Sequence, residues 1–182
     1  MNVFVTGHTS GLGKAIYDTC ISYDYHTVGL SRTNGFDLTK NLENFVQRDY
    51  WDVFVNNAYN SWAQTDLLYK LFEKNKHRNC MIINIGSVSA DGNYDVINPY
   101  AVHKAALDKA CMQLQLIDSE CKVVQIKLGR MDTPLVAHKQ ARKMNTTDIA
   151  KIIIDQVMLS PKDMLIKNYT IDVMNSRRPL SA

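Results

Sequence analysis

A tyrosine and a lysine stand four residues apart in Tyr100-Ala101-Val102-His103-Lys104. On a helix that spacing puts both side chains on one face, one turn from each other. A free tyrosine titrates near ~10 and moves protons poorly at neutral pH. An ammonium held beside it favours the phenolate and brings the hydroxyl toward the range useful for proton transfer. Ser87 lies 13 residues upstream at the end of an apolar run, and Gly7 opens a glycine-rich turn 93 residues before Tyr100. Each residue also has an ordinary reading: a strand-end cap for Ser87, a half-buried helix aromatic for Tyr100, a solvated charge for Lys104. As a set, Ser87 and Tyr100 would supply hydrogen-bond donors to a developing alkoxide, and Tyr100 its proton.

The turn Thr6-Gly7-His8-Thr9-Ser10-Gly11-Leu12-Gly13 falls between a strand-like and a helix-like segment. In that context glycines allow a tight turn and close approach of backbone to a pyrophosphate, while the helix N-terminus offers free N–H groups. A dinucleotide site often carries an acidic residue about ~20 residues on, for the ribose. Leu30-Ser31-Arg32 stands there instead. Serine and arginine suit a 2′-phosphate, so NADP(H) is expected in preference to NAD(H), which remains possible.

The elements that must position these residues alternate. Val3–Val5, Thr27–Leu30, Asp52–Val55, Cys80–Ile85, Lys122–Lys127 and Tyr169–Met174 read as strands, with Phe36-Asp37-Leu38 a vestigial one. Helices are expected over Lys14–Tyr23, Leu42–Arg48, Gln64–Lys74, Pro99–Ser119 and Thr147–Leu159. Strands this apolar are buried on both faces, and alternating β and α units imply right-handed crossovers. The expectation is a single α/β domain over residues 1–182, a Rossmann-type doubly wound, mostly parallel sheet with helices on both faces.

Composition narrows the classes. Hydrophobic residues make up 46% and charged residues 21%, as in soluble globular chains. No apolar stretch reaches the ~18 residues of a membrane span, and Met1-Asn2-Val3-Phe4-Val5 has no basic leader, so a cytoplasmic protein with no membrane partner is expected. The four cysteines form no C-x-x-C pair and have no histidine at zinc spacing, which points to reduced packing residues and no metal. A net charge of +3 is too small to argue for nucleic acid. One basic cluster, His138 to Lys143, reads either as a solvated face or as an anion-attracting rim.

These residues resemble the short-chain dehydrogenase/reductase family in its main, non-extended branch, with the likeness spread over nearly the whole chain. Thr6-Gly7-x-x-x-Gly11-x-Gly13 is similar to the family's cofactor turn, which implies contacts from Gly7, Thr9, Ser10, Gly11, Leu12 and Gly13. Asp37-Leu38 resembles the pair that meets adenine, and Asn56-Asn57-Ala58 the end of a central strand, with Asn57 and Ala58 beside the cofactor. Ser87, Tyr100 and Lys104 match the catalytic trio, and Gly129 to Thr133 the loop whose Gly129, Met131 and Thr133 would hold the nicotinamide.

The resemblance implies hydride transfer between NADP(H) and a small-molecule carbonyl or alcohol, by a homodimer or homotetramer paired partly through the helix of Tyr100. Departures are also visible. Members run to ~250 residues, a usual size for one α/β domain, and this chain has 182, with much of the loss after Ala58. The family's catalytic asparagine belongs there, and Asn60 is the candidate, its other reading being an ordinary turn residue. Tyr59 stands where glycine is usual, and Leu128-Gly129 where Pro-Gly is usual. Trp62 and Tyr94 are candidates for the substrate pocket, whereas His103 is read as structural. The shortened loop and Tyr59 also keep open a second reading, a catalytically weak dinucleotide-binding sensor or interaction protein.

Overall fold

The computed structural model describes residues 1–48, 50–92, 94–132, 143–160 and 164–173. Its strands are β1 (Asn2–Thr6), β2 (His26–Leu30), β3 (Val53–Asn56), β4 (Cys80–Ser87), β5 (Cys121–Leu128) and β6 (Asn168–Ile171). Its helices are α1 (Gly11–Ser22), α2 (Glu43–Val46), α3 (Ala63–Asn75), α4 (Pro99–Leu114) and α5 (Thr146–Ile152), the last continuing as π-helical turns over Ile153–Met158.

Side chains along a strand alternate between faces. In β1 this sends Phe4 into one core, with Leu67, Leu68 and Leu71 of α3 and Leu107 of α4, while Val3 and Val5 enter another with Leu12 and Ile16 of α1 and Ile149 of α5. Both faces are covered, which is why the strands read as unbroken apolar runs. The described strands form one sheet in the order β2-β1-β3-β4-β5-β6, and every pairing is parallel. The order turns back between β1 and β3. Such a switch point opens a crevice beyond the carboxyl ends of the strands.

The expected architecture is present, with differences in detail. Phe36-Asp37-Leu38 is not a strand; Phe36 stacks edge-on against Phe45 of α2 at 5.2 Å and Leu38 joins the same core. The two apolar residues close the end of the core, which leaves their backbone out of the ladder. Helix α4 stops at Leu114 and not Ser119. There the Gln115 side chain donates to the Val123 and Lys167 carbonyls, and the chain turns back toward β5. Asn145 caps α5 by accepting from the Thr147 and Asp148 amides. All four cysteines are buried free thiols. Among the described residues no helix is long and apolar enough to cross a membrane, and no cluster suits a metal.

Candidate active site

The crevice between β1 and β3 holds a cleft of about 660 Å³. One end is built largely from backbone. Gly7 adopts φ 71°, a left-handed conformation that costs glycine little, and its amide donates to the Leu30 carbonyl at 2.8 Å. The Thr6 hydroxyl accepts from the amides of Asn57 (2.8 Å) and Ala58 (2.9 Å), so the turns after β1 and β3 are tied together. A Cβ on Gly13 would strike the Gly7 carbonyl and lie 2.6 Å from Asn57 Nδ2. Ser10 caps α1 without a side-chain hydrogen bond, and Ser10, Gly11, Leu12 and Gly13 line the cleft. That is the arrangement by which a helix start receives a phosphate group.

The cleft gathers most of the residues expected at a cofactor site. Gly7 and Thr9 lie in its wall, as do Ser31, Arg32, Asp37, Leu38, Asn57 and Ala58. Ser31 opens a short 3-10 turn in which Asn34 Oδ1 accepts from the Ser31 amide at 2.8 Å, and this leaves Arg32 exposed at the rim. Asp37 accepts from the Thr39 amide and hydroxyl, and these bonds hold its carboxyl below the usual range.

At the other end stand Asn60, Tyr100, Lys104 and Met131. Asn98 and Pro99 start α4, with Asn98 Oδ1 accepting from the Ala101 amide, so Tyr100 enters in the first turn and Lys104 one turn later. Lys104 Nζ lies 5.7 Å from the Tyr100 ring centre. Ser87 ends β4, accepts from the Ser89 amide at 3.1 Å, and draws the Tyr100 phenol down in pKa. It is at once a strand-end cap and a partner of the phenol.

The electrostatics differ from the simple expectation of a phenol lowered by its lysine. Burial pushes the Tyr100 hydroxyl up, Ser87 draws it partly back, and Tyr59 and Tyr94 add to the rise. Lys104 is itself desolvated and is lowered to about 7. A buried amine close to neutrality exerts less pull on its neighbour than a solvated ammonium would. Tyr100 is therefore a neutral phenol, the form that donates a proton.

Lys104 Nζ donates to Gln64 Oε1 and to the Ile85 carbonyl, each at 2.8 Å. Asn60 makes no such contact; it lies in the turn before α3, where its carbonyl accepts from the Ala63 amide. The polar side chain that reaches the lysine belongs to Gln64, one helical turn further on. Gln64 shares a helix face with Leu67, Leu68 and Leu71 and is only 2% exposed, but the sequence does not say that this face meets the amine. Tyr59 turns its hydroxyl to His103 Nδ1 (2.9 Å) and packs edge-on against Tyr100 at 4.9 Å.

Other expectations fall elsewhere. Trp62 packs edge-on against His103 at 4.6 Å and Tyr94 lies against Gly92; neither lines the cleft. Gly129 is packed against Asp172, with its amide donating to the Ile171 carbonyl at 2.8 Å, and it too is outside the wall. Thr133 and the basic run from His138 to Arg142 lie outside the described residues, while Lys143 pairs with Asp132 at 3.5 Å.

No sequence-family model matches the chain, and no curated protein does. Solved structures do. A short-chain dehydrogenase from Burkholderia cenocepacia, solved with NADP, superposes with a TM-score of 0.81 at 15% identity, covering 95% of this chain and 88% of that one. The fold is that of the short-chain dehydrogenases. An alcohol dehydrogenase from the archaeon Thermococcus sibiricus, complexed with 5-hydroxy-NADP, gives 0.77 at 14% identity over 97% and 98% of the two chains. The 3-alpha-hydroxysteroid dehydrogenase from Pseudomonas sp. B-0831, complexed with NADH, gives 0.73 at 15% over 94% and 95%.

Proposed function

We propose that this chain is a short-chain dehydrogenase/reductase that uses NADP(H) to interconvert a carbonyl and an alcohol on a small substrate. One observation carries the reading: a single cleft joins the glycine turn and open helix start at one end to Tyr100 and Lys104 at the other. The residues fit a dinucleotide, since the space a Cβ would fill at Gly13 is kept clear and the first turn of α1 has no side-chain cap. Gly7 and Ser10–Gly13 would hold the pyrophosphate, Ser31 and Arg32 a 2′-phosphate, and Lys104 a ribose hydroxyl. NADPH bound there supplies a hydride to the carbonyl carbon.

The chain's own groups handle the oxygen. Ser87 and Tyr100 donate hydrogen bonds to it as negative charge develops. Tyr100 then gives up its hydroxyl proton and becomes a phenolate, the alkoxide becomes an alcohol, and Lys104 is the nearby group able to offset the new charge. A phenol raised by burial suits this direction, because the proton to be donated is present at neutral pH.

The purified protein mixed with NADPH and a panel of aldehydes, ketones and quinones should oxidise the cofactor, and should bind NADPH more tightly than NADH. A second reading, a dinucleotide-binding sensor, draws support from Tyr59, which narrows the catalytic end by packing against Tyr100. Binding without oxidation across the panel would favour it. Val102 and Met112 of α4, with Leu116 just beyond its end, expose apolar surface, which supports a homodimer or homotetramer, measurable by light scattering.

A further inference from the structure

We propose that Gln64 is the residue that positions the Lys104 amine and governs its protonation; this role rests on the oxidoreductase reading above. A glutamine buried on an apolar helix stripe loses its hydration and must be repaid in hydrogen bonds. Gln64 is fully repaid. Its Nε2 donates to the Asn56 carbonyl (2.7 Å) and the Ile85 carbonyl (3.2 Å), and its Oε1 accepts from Lys104 Nζ (2.8 Å). The two carbonyls leave the amide one orientation, with its oxygen toward the lysine.

The helix backbone is anchored as well, because Asn56 Nδ2 donates to the Gln64 carbonyl at 2.9 Å and to Asn84 Oδ1 at 2.9 Å. The Ile85 carbonyl accepts from both Gln64 and Lys104, so β4, α3 and α4 meet at one oxygen two residues before Ser87. An ammonium has three N–H donors. Two are held by Gln64 and Ile85, which leaves the third for the cleft that Lys104 lines.

The groups facing the amine are Tyr100 of α4, Tyr59 of the loop after β3, Gln64 of α3 and the Ile85 carbonyl of β4, with the Cys111 thiol acting on it only electrostatically. Among the described residues no carboxylate is one of its hydrogen-bond partners. A neutral amide therefore holds the amine in place without fixing its charge. Glutamate at this position would lock the charged form, and would also set a carboxylate oxygen against the Asn56 and Ile85 carbonyls.

The test is the pH dependence of kcat and KM for wild type, Gln64→Glu and Gln64→Met with NADPH and the best carbonyl of the panel. Gln64→Glu should move the ionisation nearest neutrality upward by about one to three pH units, as an opposite charge does. Gln64→Met, similar in size but without the acceptor, should lower kcat about ten- to a hundredfold with KM for the carbonyl little changed. Profiles superimposable on wild type in both variants overturn the proposal. If neither variant folds, the wild type decides by NMR. The Gln64 side-chain amide should shift with pH in step with the Lys104 amine, and no response overturns the role. A wild type inactive on every carbonyl would count against the oxidoreductase reading, while the NMR titration still tests Gln64 separately.

Discussion

The two ends of the cleft are made of different material. The end proposed for the nucleotide is backbone: a left-handed Gly7, a helix start at Ser10 and the Thr6 hydroxyl that ties two turns together, all within the first 58 residues. The end proposed for the chemistry is side chain: Tyr59, Gln64, Tyr100 and Lys104, brought from three separate segments onto the Ile85 carbonyl and its surroundings. Backbone donors survive most substitutions and fail where a Cβ intrudes. A buried amine fails when any one of its partners changes. Binding and chemistry should therefore be separable by mutation.

Tyr100→Phe should separate them most sharply. The ring and its contact with Tyr59 remain while the transferable proton goes, so kcat should fall by about 10²–10⁴. NADPH affinity, followed by fluorescence titration, should stay near wild type; turnover at the wild-type rate would exclude Tyr100 as the acid. Gly13→Val attacks the other end. Its Cβ meets the Gly7 carbonyl and Asn57 with no slack, and overpacking of this kind costs ~1–3 kcal/mol, so NADPH affinity should weaken about tenfold or more. Unaltered binding would mean that the glycine turn is not the phosphate site.

The same division explains what could be read from the chain beforehand. A glycine turn is local, and its spacing, its preceding strand and its following helix all lie within 25 residues. Tyr100 and Lys104 were legible for the same reason, as an i, i+4 pair in one helix. The partner of Lys104 was not, because it depends on how far the chain travels after Ala58 before α3 begins. Asn60 and Gln64 differ by one helical turn, and only packing of α3 on β3 and β4 decides which faces the amine. Phe36 and Leu38 mislead in a related way. Their alternation is that of a strand, and the fold uses it to cap a core.

Lys104→Met gives the most specific effect. In the unfolded chain the lysine titrates near 10.5, and in the fold near 7. Between these values the unfolded state binds more protons than the native state, so the lysine's contribution to stability rises with pH. Below about 7 it is protonated in both states and the full cost of burying the charge is present; that cost is relieved as pH rises toward 10.5. Methionine carries no such dependence, although it leaves Gln64 Oε1 without its donor at every pH. Wild type should therefore gain stability relative to Lys104→Met as pH rises from 7 to 10, read as a widening difference in Tm. A difference that stays flat across that interval would mean that the amine is hydrated in solution, and the contrast between a wet backbone end and a dry side-chain end would be lost with it.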